Sequence, residues 1–108
     1  MATSFINAVA RDVGTTEVVI YTVPAQTKAI LIGCNLANKT GGILPVDLIL
    51  RKSTGDSYIV RGMRVGNGEN SEVMRGNKLV LQANDALVTK SGLDNSFDVI
   101  ASILTGVS

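Results

Sequence analysis

Histidine and tryptophan are absent from the 108 residues, and cysteine occurs once, at Cys34. Without histidine the chain lacks the usual general base near neutral pH and the commonest zinc ligand. A single cysteine forms no internal disulfide, and a reducing compartment is the expectation. Only Phe5, Tyr21, Tyr58 and Phe97 are aromatic. That leaves little for stacking nucleobases or sugar rings, and the core must be built from Val, Ile and Leu. Ten Lys and Arg stand against nine Asp and Glu, for a net charge of +1, with no cationic run. Nucleic-acid grooves and anionic membrane surfaces need clustered cations, so neither partner is expected. Strictly apolar runs reach about four residues, far short of a membrane span. The opening Met1-Ala2-Thr3-Ser4-Phe5 has no charged start and no long apolar stretch, so synthesis and retention in the cytoplasm are expected.

What is present is period-two patterning. Strands are predicted over residues 5–13, 16–23, 28–38, 45–52, 57–65, 71–74, 78–82, 86–90 and 96–104. Turn residues separate them: Gly14-Thr15, Pro24, the Asn38–Gly42 region, Ser53-Thr54-Gly55-Asp56, Gly66-Asn67-Gly68 and Ala83-Asn84-Asp85. Short strands spaced by about ten residues define an all-β, single-domain β-sandwich of jelly-roll or Ig-like type, with about eight or nine antiparallel strands. A chain of this length buries roughly two-thirds of its unfolded surface and needs no metal or disulfide to fold. Residues 1–15 form an N-terminal arm or edge strand, and residues 16–108 form the sandwich. Strict alternation predicts a core of Val18, Ile20, Ile30, Ile32, Leu48, Leu50, Leu79, Leu81, Val99 and Ala101.

The motifs that suggest chemistry each have a plainer explanation. Gly66-Asn67-Gly68 precedes a short polar segment and a strand, not the helix that a phosphate cradle needs. Asp94-Asn95-Ser96-Phe97-Asp98 lacks the long ligand series and distal Glu of a calcium loop. Serine and threonine have no histidine to activate them, and no spacing among the acids suggests a catalytic pair. Cys34, in mid-strand, reads as a small hydrophobe. Arg61, Arg64 and Arg75 read as a solvated sheet face. No enzyme, cofactor, metal or catalytic residue is expected.

Apolar groups in unusual places point elsewhere. Phe5, Ile6 and Val9 lie near the chain start, and Ile43 and Leu44 lie at a loop edge. Exposed large aliphatics mark contacts with other proteins, so these five are the candidate interface residues. Residues 3–10 are expected to reach a neighbouring copy or the shell; the rival expectation is that residues 5–13 fold back as an edge strand of their own domain.

Several segments resemble a family of small virion structural proteins of tailed bacteriophages, cyanophages and prophages. They are Phe5-Ile6-Asn7-Ala8-Val9-Ala10, Val13-Gly14-Thr15-Thr16, Ile20-Tyr21-Thr22-Val23-Pro24-Ala25, Ile32-Gly33 leading to Leu36-Ala37-Asn38, Pro45-Val46-Asp47-Leu48, Asn77-Lys78-Leu79-Val80-Leu81, Asn84-Asp85-Ala86-Leu87 and Asp98-Val99-Ile100-Ala101-Ser102-Ile103-Leu104. The resemblance implies a non-enzymatic virion component made in the host cytoplasm. It favours a head decoration (cement) protein that binds the major capsid protein or another virion structural protein. A neck, tail or fibre-attachment component is the alternative, and a carbohydrate-binding sandwich module is the third possibility. A homo-oligomer is expected, with a trimer favoured because shells offer local three-fold axes.

Overall fold

The computed structural model describes residues 3–66, 68–74 and 77–107. Asn67, Arg75 and Gly76, which the sequence places in turns and on an arginine-bearing face, lie outside them. Nine strands run in order: β1 (Ser4–Val13), β2 (Val18–Thr22), β3 (Lys28–Asn38), β4 (Leu44–Lys52), β5 (Gly55–Val65), β6 (Asn70–Glu72), β7 (Leu79–Leu81), β8 (Ala86–Ser91) and β9 (Phe97–Val107). They form two antiparallel sheets. Sheet A has the order β1-β9-β3-β6, with β7 also paired to β3, and sheet B has the order β2-β8-β4-β5. With β6 and β7 sharing one position, this is the eight-position jelly roll, the first of the two expected sandwich types. Of the two expectations for the chain start, residues 4–10 form an edge strand, pairing in unbroken register with β9 of their own chain, from Ser4 opposite Thr105 to Ala10 opposite Val99.

The core lies between the sheets. Phe97, Val99, Ala101 and Ile103 on β9 meet Leu44, Val46 and Leu48 on β4 and Leu87 on β8. Of the expected core residues, Leu48, Leu81, Val99 and Ala101 are buried, while Val18, Ile20, Leu50 and Leu79 are partly buried and pack against the cluster.

Ile30 and Ile32 depart from the expectation. The β3–β9 register slips between Leu31 and Gly33. Such a bulge inserts one residue and inverts the alternation beyond it. Ala29 and Leu31 therefore point inward on one side of the bulge, and Cys34 and Leu36 on the other. Ile30 and Ile32 are not among the residues packed on the core. Leu31→Ala is accordingly expected to cost about 2–5 kcal/mol in a denaturant melt and Ile32→Ala less than about 1 kcal/mol. The reverse order would show that β3 is read in the wrong register.

The bulge also shapes the far side of β3. β6 covers residues 35–37 and β7 covers residues 29–31, leaving a gap between them. The Glu72 carboxylate fills it, accepting the Cys34 N–H at 2.9 and 3.1 Å and the Met74 N–H at 3.2 Å. Gly33 admits this approach, since a Cβ there would sit 3.3 Å from Glu72 Oε1.

Candidate assembly face

The side chains that suggested chemistry are engaged inside the fold. Cys34 is fully buried, and desolvation, with the nearby Glu72 charge second, pushes its thiol up to about 12. A thiol held protonated in this way is inert. Asp94 accepts from the Thr15 N–H (3.1 Å) and hydroxyl (2.9 Å). Asp98 accepts from the Asp12 N–H (2.9 Å) and pairs with Lys39. Asp94 thus ties the loop before β9 to the segment after β1, and Asp98 ties the start of β9 to the end of β1.

These contacts set an acid limit on stability. The Thr15 hydrogen bonds hold Asp94 below its ordinary pKa, the Asp12 N–H and Lys39 hold Asp98 below it, and Arg51 does the same for Asp56. A carboxyl depressed in the folded state contributes stability above its unfolded pKa of about 4, and that stability is lost as pH falls through the folded value. The melting temperature is therefore expected to fall as pH drops below about 4. Asp94→Asn should lower it at neutral pH and flatten that acid slope. An unchanged slope would show that Asp94 is not among its causes.

The proposed interface residues separate into two groups. Phe5 and Val9 face outward on β1, and Ile43 is exposed in the loop before β4. Leu44 and Ile6 do not belong with them. Leu44 is 1% exposed and pairs with Val65, so it is a core residue. Ile6 opposes Ile103 and packs against the core. The alternation of β1 that turns Phe5 out turns Ile6 in.

Register places Phe5 and Val9 in a larger surface. Phe5 opposes Leu104, Leu104 opposes Ile30, and Ile30 opposes Val80, giving an apolar row across the outer side of sheet A. The next row on this side is Asn7, Ser102 and Gly33, and the one after it is Val9, Ile100, Asn35 and Glu72. Exposure is 77% for Phe5, 58% for Val80, 44% for Ile100 and 43% for Val9. Together these side chains present on the order of 400 Å² of apolar surface, within the range of the largest patch on a typical monomer. A shallow hollow of about 290 Å³ lies among Phe5, Ile6, Asn7, Ser102 and Ile103. In the three rows the one charged side chain is Glu72, whose carboxylate is turned onto the β3 backbone. Charge gathers instead beyond the Val9 row, where Lys39 bridges Asp12 and Asp98.

Sheet B contrasts with this. Its outer side also carries an apolar row, Val19, Val88, Ile49 and Tyr58, but Val88 and Ile49 are fully covered by their neighbours. Around it, Arg51 binds Asp56 (2.7 and 2.8 Å) and Glu17 (3.0 Å), and the Arg61 guanidinium lies 5.3 Å from the Tyr58 ring centre. Ion pairs of this exposed kind suit a face that stays in water. The two broad sides of the sandwich are therefore chemically unlike.

No protein-family model matches the chain, and no curated protein matches it by sequence. Among solved structures it is similar to a chain of the Bacillus endospore appendages, which form a family of disulfide-linked pili. That match has a TM-score of 0.58 and 15% identity, over 99% of this chain and 88% of the other. The likeness establishes a shared fold. A chain of infectious bursal disease virus, Gx strain, aligns over 97% of this chain and 32% of its own length, with a TM-score of 0.46 and 12% identity. At that level the alignment carries no argument.

Proposed function

We propose that the protein is a non-enzymatic structural component of a virion that acts by contact. Its best-supported place is the outside of the head, as a decoration protein. The carrying observation is the outer side of sheet A: apolar, almost free of charge and opposite a salt-bridged side suited to water. In this role sheet A lies on the major capsid protein or another shell protein, and sheet B faces solvent. Each contact is modest beside the roughly 800 Å² per partner of a standard interface, so many copies act together. The segments that resemble phage virion proteins support the virion setting, and the appendage chain, a pilus component with the same fold, supports a role in an assembled polymer. Disulfide linkage of the kind named for those pili does not carry over, because Cys34 is the single cysteine and is buried.

The test is binding to heads stripped of the protein. Ile100→Asp and Val80→Asp are expected to weaken binding by about tenfold or more while leaving the melt nearly unchanged. Val19→Asp, on the outer side of sheet B, should bind like the native chain. Loss of binding by Val19→Asp alone would reverse the assigned orientation. Quantitative mass spectrometry of virions should find hundreds of copies, whereas a dozen would place the protein in the neck or tail.

A further inference from the structure

Each sheet has two edges, and three of the four carry devices that discourage pairing with another chain. β2 is five residues long and its register with β8 slips between Val19 and Tyr21. The far edge of sheet A is broken into β6 and β7, three residues each. β5 is long, but its register with β4 slips twice, Gly62 takes a φ of +64°, and the Gly62 N–H is donated to Asp47 Oδ1 at 2.7 Å. Short strands, bulges and engaged backbone groups are the known means of blunting an edge.

β1 has none of these over most of its length. Residues 4–10 read Ser-Phe-Ile-Asn-Ala-Val-Ala, with no charge, proline or positive φ. They pair with β9 without a slip. Guarding features begin only at Arg11 and at Asp12, whose φ is +54°. Among the described residues, no hydrogen bond from outside the β1–β9 ladder reaches residues 4–10. An extended strand with one side unpaired is a template for another strand.

We propose that β1 is a strand-addition edge whose occupant is β1 of a second copy, running antiparallel about a two-fold axis. The choice of occupant follows from the same comparison. A head-to-tail contact would need a different strand of this chain to receive β1, and the other three edges are blunted. An isologous contact needs only one open edge, used twice. The pairing also joins two copies of sheet A into one sheet. The Phe5 and Val9 rows of each copy then meet across the axis, and the apolar outer side continues from one copy to the other. The inference goes beyond the docking role, and because it concerns free protein it stands or falls separately from head binding.

Successive amides of a strand point to opposite edges, so of Asn7 and Ala8 one donates toward β9 and the other toward the open edge. Asn7→Pro and Ala8→Pro therefore form a matched pair. The expected result is that the intact chain is a concentration-dependent dimer by light scattering. One proline variant should melt early, because its ladder bond is lost. The other should keep its melt and be a monomer, since proline is tolerated on the free side of an edge strand. Hydrogen exchange gives a second readout: in the dimer all amides of residues 4–10 are slow, and in the folded monomer every second one is fast. An intact chain that stays monomeric up to about 1 mM overturns the proposal. So does a trimer, or a dimer that survives in the folded proline variant.

Discussion

Replacing Phe97 by alanine is expected to cost about 3–5 kcal/mol, the range for a fully buried aromatic. Among the described residues Phe97 is the largest wholly buried side chain, and it opens β9, opposite Val13 on one side and Asn38 on the other. Its ring thus fills the end of the core where both neighbouring strands of sheet A finish. Domains of this size hold about 5–15 kcal/mol in all, so a large part of the stability goes with it. At about 4–8 °C per kcal/mol, the melting temperature should fall by more than about 10 °C. Phe97→Leu, which keeps most of the volume, should cost much less. A shift of only a degree or two for Phe97→Ala would mean that this end of the core collapses to fill the space.

The second large effect is expected at Asn38, 4% exposed at the end of β3. Its Nδ2 donates to the carbonyl oxygens of Gly42 (2.8 Å), Val65 (3.0 Å) and Gly66 (3.0 Å), while its Oδ1 accepts from the Thr40 N–H and hydroxyl at 2.8 Å each. One side chain thereby fastens the loop after β3 to the end of β5. Asn38→Ala removes this donor from all three carbonyls; those of Gly42 and Gly66 keep the Thr40 hydroxyl and the Glu69 N–H, so the penalty falls mainly on Val65 and on the Thr40 groups. A loss of about 1–3 kcal/mol is expected. Asn38→Asp keeps the shape and exchanges the donor for oxygen. Facing three carbonyls, its carboxyl would titrate above its unfolded value of about 4. The damage to folding should therefore be small at acid pH and grow as pH rises through and beyond that value. An Asn38→Asp melt whose deficit does not depend on pH would show that water has taken over the role of the amide.

Particular residues show how far the sequence could be read. The bounds of β3 were legible because a β-branched and aliphatic run lies between the Pro24 turn and a stretch of Asn, Lys, Thr and Gly. Its faces were not, because the residue inserted at Ile32 leaves Ile30 and Ile32 outward while Cys34 and Leu36, on the same strict alternation, face inward. The available signal was Gly33, a glycine within a strand, which often marks a bulge or a close approach. The same failure recurs on β5. Strict alternation puts Tyr58 and Val60 on one face, but slips in register leave Tyr58 opposite Ile49 on the outer side and Val60 packed on the core opposite Leu48. On β9, where the β1 ladder runs unbroken from Ser4 to Ala10, alternation placed Phe97, Val99, Ala101 and Ile103 inward correctly. Of the apolar outer side of sheet A, Phe5 and Val9 were legible from β1 alone. Ile30, Val80, Ile100 and Leu104 were not, because each becomes part of a row only through cross-strand neighbours far away in sequence. Leu44 was misplaced for the same reason: nothing local announces its partner Val65.

The position of β9 bears on how the chain comes to be folded. It comes ninth in chain order, yet it lies between β1 and β3, the first and third. Until it leaves the ribosome these two strands have no common neighbour, and most of sheet A cannot exist. The strands of sheet B can pair before β9 is made, but sheet A and the core between the sheets must wait for it. Closure of sheet A then requires a search across nearly the whole domain. Topologies of that kind fold slowly and are exposed to aggregation while they wait. The interval between the making of β3 and the arrival of β9 is therefore the time when the aliphatic strands of sheet A stand open to wrong partners.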